Sequence, residues 1–566
     1  WPKNVLHKLQ SASKFLSLFA NTCHLPVLLN MHHSNISNAA GQGRKVMLFC
    51  SGSRGDVQPV IALASALKLA GFQVCIGTNV NHVPFVQKFQ LEAVGVSLDS
   101  EKILNEPACR ESMAKGNVMK MFAKIGEANK TAFPENMAKK MDAIDKFSPH
   151  VILASILEYY ELAPIAGILS LPVLRISLQS LYPSTDQISC IGEPSWCPHR
   201  MFCYLFLYIL FSSERDCKQS VILDHLPDSK PWLSLTFEQH MADFLHPTTP
   251  SLIGLSPCLF SQKSDWTDDV KEAVKFTGCW VMDKQQQSTE RPGGDSFFGG
   301  ESVKEMLSKF LLQGPAVYMG WGSMIAVSEK HMACLAVRSL MKAHMRGIIV
   351  GGWAHLDAQH LKGEVDSELL QAYAKDNVCF VQTASHEWLF PQCSVIVHHG
   401  GAGTTAASMR AGVPVIVMPC FGDQFDNAKL VESSGCGVAL KQFSRVTAAT
   451  LAVALTQCMS DPYMRENACS LGQQLMKEDG LGNAVRIVED FIVNELDAGM
   501  WKAKHEVRTQ QMKELQAREP LGCLAWITHL CSSGSKARFL PQLNVSKDVE
   551  DTKYDRVTGV FSRGGA

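Results

Sequence analysis

Residues 395–424 read VIVHHGGAGTTAASMRAGVPVIVMPCFGDQ. An apolar run, Val395–Val397, meets two histidines and two glycines, and a segment rich in small residues leads to a second apolar run, Val415–Met418. Short apolar runs bounded by glycine read as buried parallel strands, and strand–loop–helix–strand is the repeating unit of a doubly wound sheet. Glycines in His398-His399-Gly400-Gly401-Ala402-Gly403-Thr404-Thr405 let the backbone approach an anion closely. A helix opening at Thr404 offers that anion free N–H groups and a partial positive charge. Thr404 and Thr405 add hydroxyl donors and His399 a ring donor, so a diphosphate fits the loop without a metal. A tight turn whose glycines serve packing alone is the competing reading.

After the second strand comes Pro419-Cys420-Phe421-Gly422-Asp423-Gln424. Ligands of such sheets bind at the carboxyl ends of the strands, which places the glycine loop and Asp423-Gln424 on one crevice. A carboxylate beside an amide suits sugar hydroxyls. Asp423 as the cap of a helix over Phe425–Ser433 is the alternative.

Working outward, Ala316–Met319, Gly347–Val350 and Val378–Val381 are further strands of the same sheet, which gives a domain over 301–494. The polar stretch 283–300, rich in Gln, Ser and Gly, is the linker before it. The preceding domain, 44–282, opens with a strand at Lys45–Cys50, a glycine-containing loop, and a helix from Pro59 to Ala70 ended by Gly71. Phe72–Gly77, Val151–Ala154 and Pro172–Ser177 supply more strands. Two Rossmann-like domains therefore follow one another. Residues 1–43 form an extension, targeting or disordered, and 495–566 a charged helical segment (Lys502–Arg518) followed by a poorly ordered tail.

The first domain's loop reads Ser51-Gly52-Ser53-Arg54-Gly55-Asp56-Val57-Gln58-Pro59 and lies at the carboxyl end of the opening strand, where catalytic groups collect. Asp56 there suits a general base that takes the proton of an acceptor hydroxyl, or else a cap for the helix begun near Pro59. Gly52, Ser53 and Arg54 shape the loop or contact a phosphate.

Composition narrows the partners. A formal net charge of -1 on 566 residues leaves no electrostatic footprint for nucleic acid. Nineteen cysteines stand singly among apolar residues with no CxxC pair, which favours reduced thiols and a cytoplasmic location. No apolar run reaches the length of a transmembrane helix. Met201–Phe211 is the most apolar stretch, read first as a buried helix and second as a surface for peripheral membrane contact or an acceptor slot.

At these residues the sequence resembles the sterol glucosyltransferases and the related bacterial glycosyltransferases that glycosylate natural products. The matching pieces are GSRGDVQP at 52–59, SP-x6-SDW and FTGCW within 256–280, YMGWGSM at 318–324, GGW at 351–353, and the run 385–424. They are ordered over 45 to about 490. The resemblance implies an α/β GT-B fold, two Rossmann-like doubly wound domains facing across a cleft, the first holding the acceptor and the second the donor. It implies inverting, metal-independent transfer from UDP-glucose or another nucleotide sugar to a sterol or other lipid alcohol, with no cofactor beyond that co-substrate. Asp56 matches the base; His399, Gly401, Gly403, Thr404 and Thr405 match the diphosphate loop; Asp423 and Gln424 match the sugar pair; Ser323 matches a further phosphate contact.

Three departures stand out. Ser385 replaces a usual proline and Trp321 a frequent phenylalanine, both near the expected base and ribose pocket. Asp426-Asn427 occupies positions where the family commonly has phenylalanine and tryptophan, which bears on sugar preference. A nucleotide-sugar epimerase and a non-catalytic nucleotide-sugar or lipid binding protein remain as alternatives. An NAD dehydrogenase does not fit, because neither unit carries G-x-G-x-x-G with a downstream acid.

Overall fold

The computed structural model describes residues 41–517 except 116–117, 181, 186–198, 213–214, 234–235 and 283–299, together with 552–554 and 561–563. The expected linker and almost all of the amino-terminal extension lie outside the described residues.

Two parallel sheets form the framework. The first has seven strands in the order β3-β2-β1-β4-β5-β6-β7: β1 (Lys45–Phe49), β2 (Gln73–Asn79), β3 (Glu92–Ser97), β4 (Val151–Ser155), β5 (Val173–Ser177), β6 (Ser251–Ile253) and β7 (Val274–Phe276). The second has six, in the order β10-β9-β8-β11-β12-β13: β8 (Ala316–Gly320), β9 (Arg346–Val350), β10 (Val378–Val381), β11 (Val395–His398), β12 (Val415–Val417) and β13 (Gly437–Ala439). Helices cover both faces, so β8, β11 and β12 are buried throughout and read as continuous apolar runs. The order reverses at β1/β4 and at β8/β11, the switch points where such sheets bind ligands. β3, β6, β7 and β13 were not expected from the sequence. β6, β7 and β13 are three residues long, too short to show a period, and β3 is a half-exposed edge strand with a glycine inside it.

Six helices frame the cleft or brace the domain that carries it: α1 (Arg54–Leu69), α2 (His199–Ser212), α3 (Ala402–Arg410), α4 (Gln424–Ser433), α5 (Gly480–Phe491) and α6 (Met500–Gln516). α1 starts five residues before the expected Pro59. Ser53 and Asp56 close a reciprocal capping box there, and that local bonding outweighs the breaking tendency of Pro59 one turn later. α2 contains the apolar stretch; its Tyr204 and Leu207 are buried and Leu205 is exposed, as on a helix packed along one side. Among the described residues no helix is long and apolar enough to cross a membrane, and none of the fourteen described cysteines forms a disulfide.

The expected boundary at 494 needs correction. The chain returns to the first domain at Gly480, and α5 packs on α1. α6, assigned to a separate tail, docks on the first domain as well. Gly167 leaves room for the Trp232 indole, which stacks on His505 of α6 at 4.1 Å. Arg508, 1% exposed, donates to Asp243 Oδ1 at 3.1 Å. Beyond α6 the only described residues are a short antiparallel pair, Thr552–Tyr554 with Phe561–Arg563.

Removing one partner of a buried ion pair costs about 3–5 kcal/mol. Asp243 keeps some contact with water and with Arg175, so Arg508→Ala is expected at the low end of that range. Urea unfolding of the two proteins measures it; an unchanged midpoint would show that α6 does not hold the first domain.

Candidate active site

The two loops singled out in the sequence sit at the two switch points. Ser51–Ser53 follows β1, while His399–Gly401 follows β11 and the turn containing Ser323 follows β8. They also face each other. The nearest atom to the position of a Cβ on Gly403 is the Gly55 carbonyl oxygen of the first domain, at 4.0 Å.

In the second domain, α3 begins at Ala402, two residues earlier than expected, with Gly401 as its cap. The amides of Ala402, Gly403 and Thr404 thus form the open first turn. Gly400 holds φ at +91°, and a side chain there would strike the backbone of Gln424, so glycine is required. The two histidines divide the work. His398 is fully buried and framework-bound: its Nδ1 accepts from the Gly400 amide at 2.8 Å and its Nε2 meets Ser408 Oγ at 3.1 Å. His399 lies between Gly401 and Gly322, where a Cβ would come within 2.5 and 3.2 Å of its ring. Its Nδ1 is buried without a hydrogen-bond partner, and burial pushes its pKa down to about 4. It is therefore uncharged at neutral pH, and the positive potential of the loop comes from the helix amides.

The threonines also divide. The Thr404 hydroxyl has no partner among the described residues. Thr405 donates its only hydroxyl proton to the Gly401 carbonyl at 2.9 Å, so the expectation that Thr405 donates to a phosphate is corrected: it holds the loop. Ser323 occupies a turn closed by the Met324 amide donating to the Trp321 carbonyl at 2.9 Å.

Gln424 is corrected in the same way. Its amide oxygen accepts from the Cys420 and Phe421 amides at 2.7 and 3.2 Å and its nitrogen faces Met324 sulfur, so it braces the loop. Asp423 is the residue that opens to the cleft. It occupies the position before α4 yet makes no capping bond with its side chain. Loss of hydration pushes its carboxyl up to about 6, Gln179 and Asn427 bonding lowers it, and the charge of Asp56 raises it, so the two carboxylates sense each other across the cleft. Asn427 ties the glycine loop to the start of α4, donating to the Gly400 carbonyl at 2.8 Å and to Asp423 Oδ2 at 3.4 Å. Asp426, on the same face as Asp423, has a buried Oδ1 without a partner.

On the other side, Asp56 Oδ2 accepts from the Ser53 amide and hydroxyl at 2.7 and 3.0 Å. Gly52, with φ at +128°, lies directly against this carboxylate. Both readings of Asp56 therefore hold together: it braces the first turn of α1 and presents an edge to the cleft. That edge is open to solvent, but protein on both sides reduces its hydration. Desolvation raises the carboxyl above the usual range, against the Ser53 bonds that favour its charged form. The Arg54 guanidinium lies 4.5 Å over the Phe85 ring and its Nε reaches Gln58 at 3.4 Å. It also lowers the pKa of His386 across the cleft, second to burial.

Sequence reasoning missed Gln179 and His386, and it singled out Asn427 only as a departure bearing on sugar preference. Gln179 follows β5 at its carboxyl end, which was the available signal; His386 has none beyond position. Trp321 and Ser385 are both buried, the indole against Phe443 and the serine capping a short helix through the Trp388 amide.

Sheet order, switch points and facing loops define the GT-B architecture of glycosyltransferases. The chain aligns with the crystal structure of the glycosyltransferase of kitacinnamycin (TM-score 0.53, 20% identity, 79% of this chain and 98% of that one). It aligns similarly with the calicheamicin glycosyltransferase CalG4 (TM-score 0.52, 15% identity, 80% and 99%). Residues 46–161 match the glycosyltransferase family 28 N-terminal domain and 354–491 the erythromycin biosynthesis protein CIII-like C-terminal domain.

More particularly, the chain is similar to sterol 3-beta-glucosyltransferases. That of Saccharomyces cerevisiae (strain YJM789) is 28% identical over 87% of this chain and 38% of its own length. That of Komagataella phaffii is 25% identical over 82% and 36%. The chain spans little more than a third of the length of these relatives.

A hydrogen bond to a charged group contributes about 1.5–3 kcal/mol, or roughly ten- to hundredfold in affinity. Thr404→Val is expected to lose that much UDP affinity by calorimetry with an unchanged melting temperature. Thr405→Val is expected to lower the melting temperature first. Equal effects of both variants would erase the distinction drawn between them.

Proposed function

We propose that the chain transfers a hexose, glucose foremost, from a UDP-sugar to the hydroxyl of a sterol or related lipid alcohol, with inversion and without a metal. The facing of the Gly403 turn and the Gly55–Asp56 turn across one cleft carries this reading. The α3 amides, Thr404, Ser323 and His399 hold the diphosphate, and Asp423 bonds the sugar. Asp56 takes the proton of the acceptor hydroxyl as its oxygen attacks the anomeric carbon. The bond from that carbon to the phosphate oxygen breaks, and UDP leaves with the electron pair. Attack opposite the leaving group inverts the centre. The sterol reading rests on the relatives' names.

Asp56→Asn is expected to lower kcat by about 10²–10⁴, the range of general base catalysis, while UDP affinity stays within a few-fold. The base works ionised, and both cleft carboxyls are raised. Activity should therefore fall on acidification at a pH above the ordinary aspartate range, because burial raises the Asp56 carboxyl. Mass spectrometry of UDP-glucose with a sterol panel, in EDTA, reads the product. A hexosyl-sterol confirms the reading; full activity of Asp56→Asn removes the base, and loss of activity in EDTA removes metal independence.

A further inference from the structure

Asp56 is held through the peptide unit that joins Gly52 to Ser53. The N–H of that unit donates to Asp56 Oδ2 at 2.7 Å. Its carbonyl oxygen lies 3.2 Å from His82 Nε2. A carbonyl only accepts, so Nε2 carries the proton and donates to it. Imidazole N–H, peptide and carboxylate thus stand in one hydrogen-bonded line. Bonds in such a line polarise one another: electron density drawn towards the Gly52 oxygen makes the Ser53 N–H a stronger donor.

The surroundings fix the line in place. β2 ends at Asn79 and the turn Val80–His82 follows it. Asn79 and His82 are both buried. Asn79 Oδ1 accepts from the Gly52 amide at 2.8 Å, while its Nδ2 donates to the Leu98 carbonyl at 2.6 Å. The amide and the carbonyl of Gly52 are therefore both tied to side chains from the end of β2. Gly52 needs that restraint, because its φ of +128° suits glycine alone and glycine has the most backbone freedom to lose. Rotation of the peptide would turn the Ser53 N–H away from the carboxylate. Ser100 Oγ, 3.3 Å from Nε2, steadies the imidazole. Burial holds His82 below its ordinary pKa, so at neutral pH it acts through its N–H and not through a charge. The charged and titratable groups facing the line are Arg54 on α1, Asp99 after β3, Cys50 after β1 and Asp423 across the cleft.

We infer that His82 is a positioning residue for Asp56: through the Gly52–Ser53 peptide it orients the carboxylate and strengthens the bond that favours its ionised form. This rests on the proposed transfer with Asp56 as its base, and adds to it the group that holds the base.

His82→Met and His82→Gln test it, since the two side chains match in length and differ in the N–H. Transfer from UDP-glucose to a sterol is followed against pH, with melting temperature and UDP affinity measured beside it. His82→Met is expected to lower kcat by about tenfold, the effect of a misplaced catalytic group, with KM for UDP-glucose within a few-fold. Loss of the polarising bond disfavours ionised Asp56, so the acid limb should move to higher pH, by about half a unit. His82→Gln should recover most of both. Equal kcat and equal acid limbs in the two variants overturn the inference, leaving His82 a role in stability alone. NMR of the ring nitrogens in the unsubstituted chain, with the His82 signal assigned by its loss in His82→Gln, should show a neutral ring protonated at Nε2. A ring protonated at Nδ1 overturns the inference even where His82→Met does not fold. Asp56→Asn separates the two readings. If it is fully active, or if no hexosyl-sterol forms, the transfer reading with Asp56 as base falls and this inference with it; an inactive Asp56→Asn beside an unaltered His82→Met removes only the role of His82.

Discussion

The arrangement of the cleft depends on one backbone contact. Where the chain leaves the first domain and where it returns, Gly278 and Gly480 pass so close that a Cβ on Gly480 would lie 2.4 Å from the Cys279 carbonyl oxygen. Only glycine allows this approach, and Gly278 also needs its φ of +101°. Side chains fasten the crossing on both sides: Asn483 donates to the Thr277 carbonyl at 2.8 Å and Ser256 to Glu478 at 2.5 Å. With the crossing fixed, the carboxyl ends of the two sheets are aimed at each other, and α3 packs on α1. Pro59 adds a detail at that contact. Lacking an N–H, it leaves the Gly55 carbonyl without its usual helical donor, and this is the carbonyl that faces the open amides of α3.

Polar groups in the cleft sort into two sets by whether the fold already satisfies them. His398, Thr405 and Gln424 have their hydrogen bonds taken by backbone, and their effect is to hold loop shape. His399 Nδ1 and Asp426 Oδ1 are buried without partners, and the Thr404 hydroxyl is left over. A fold tolerates such atoms where a ligand will complete them. Residue type alone does not make this division. Two adjacent histidines and two adjacent threonines each split one to the framework and one to the cleft.

That is also why the sequence revealed the site's location better than its membership. Glycine-rich loops after apolar runs are local signals, and both were legible, as were the strands of four or more residues that carry them, apart from the edge strand β3. The extent of α1 was not, because a proline in its second turn looks like a start signal and the Ser53–Asp56 box that sets the true start resembles a loop. The return of α5 and α6 to the first domain leaves no local trace either. It depends on contacts such as Trp232 with His505 and Asp243 with Arg508, made between residues hundreds of positions apart. Gln179 entered the site for the same reason, through the tertiary fold.

Asp56 shows how one carboxylate meets two demands. As the third residue of α1 it accepts hydrogen bonds from Ser53, and as the proposed base it would take a proton. The bonds favour the charged form, while the low hydration of the cleft favours the neutral one. Were the box absent, desolvation would act unopposed and the acid would be protonated at higher pH, useless as a base. Were the cleft open, the bonds would dominate and the carboxylate would be too weak a base to accept a proton. The capping box therefore opposes the effect of desolvation on the proposed base as well as starting the helix, and Gly52, pressed against the carboxylate with no side chain of its own, leaves room for both.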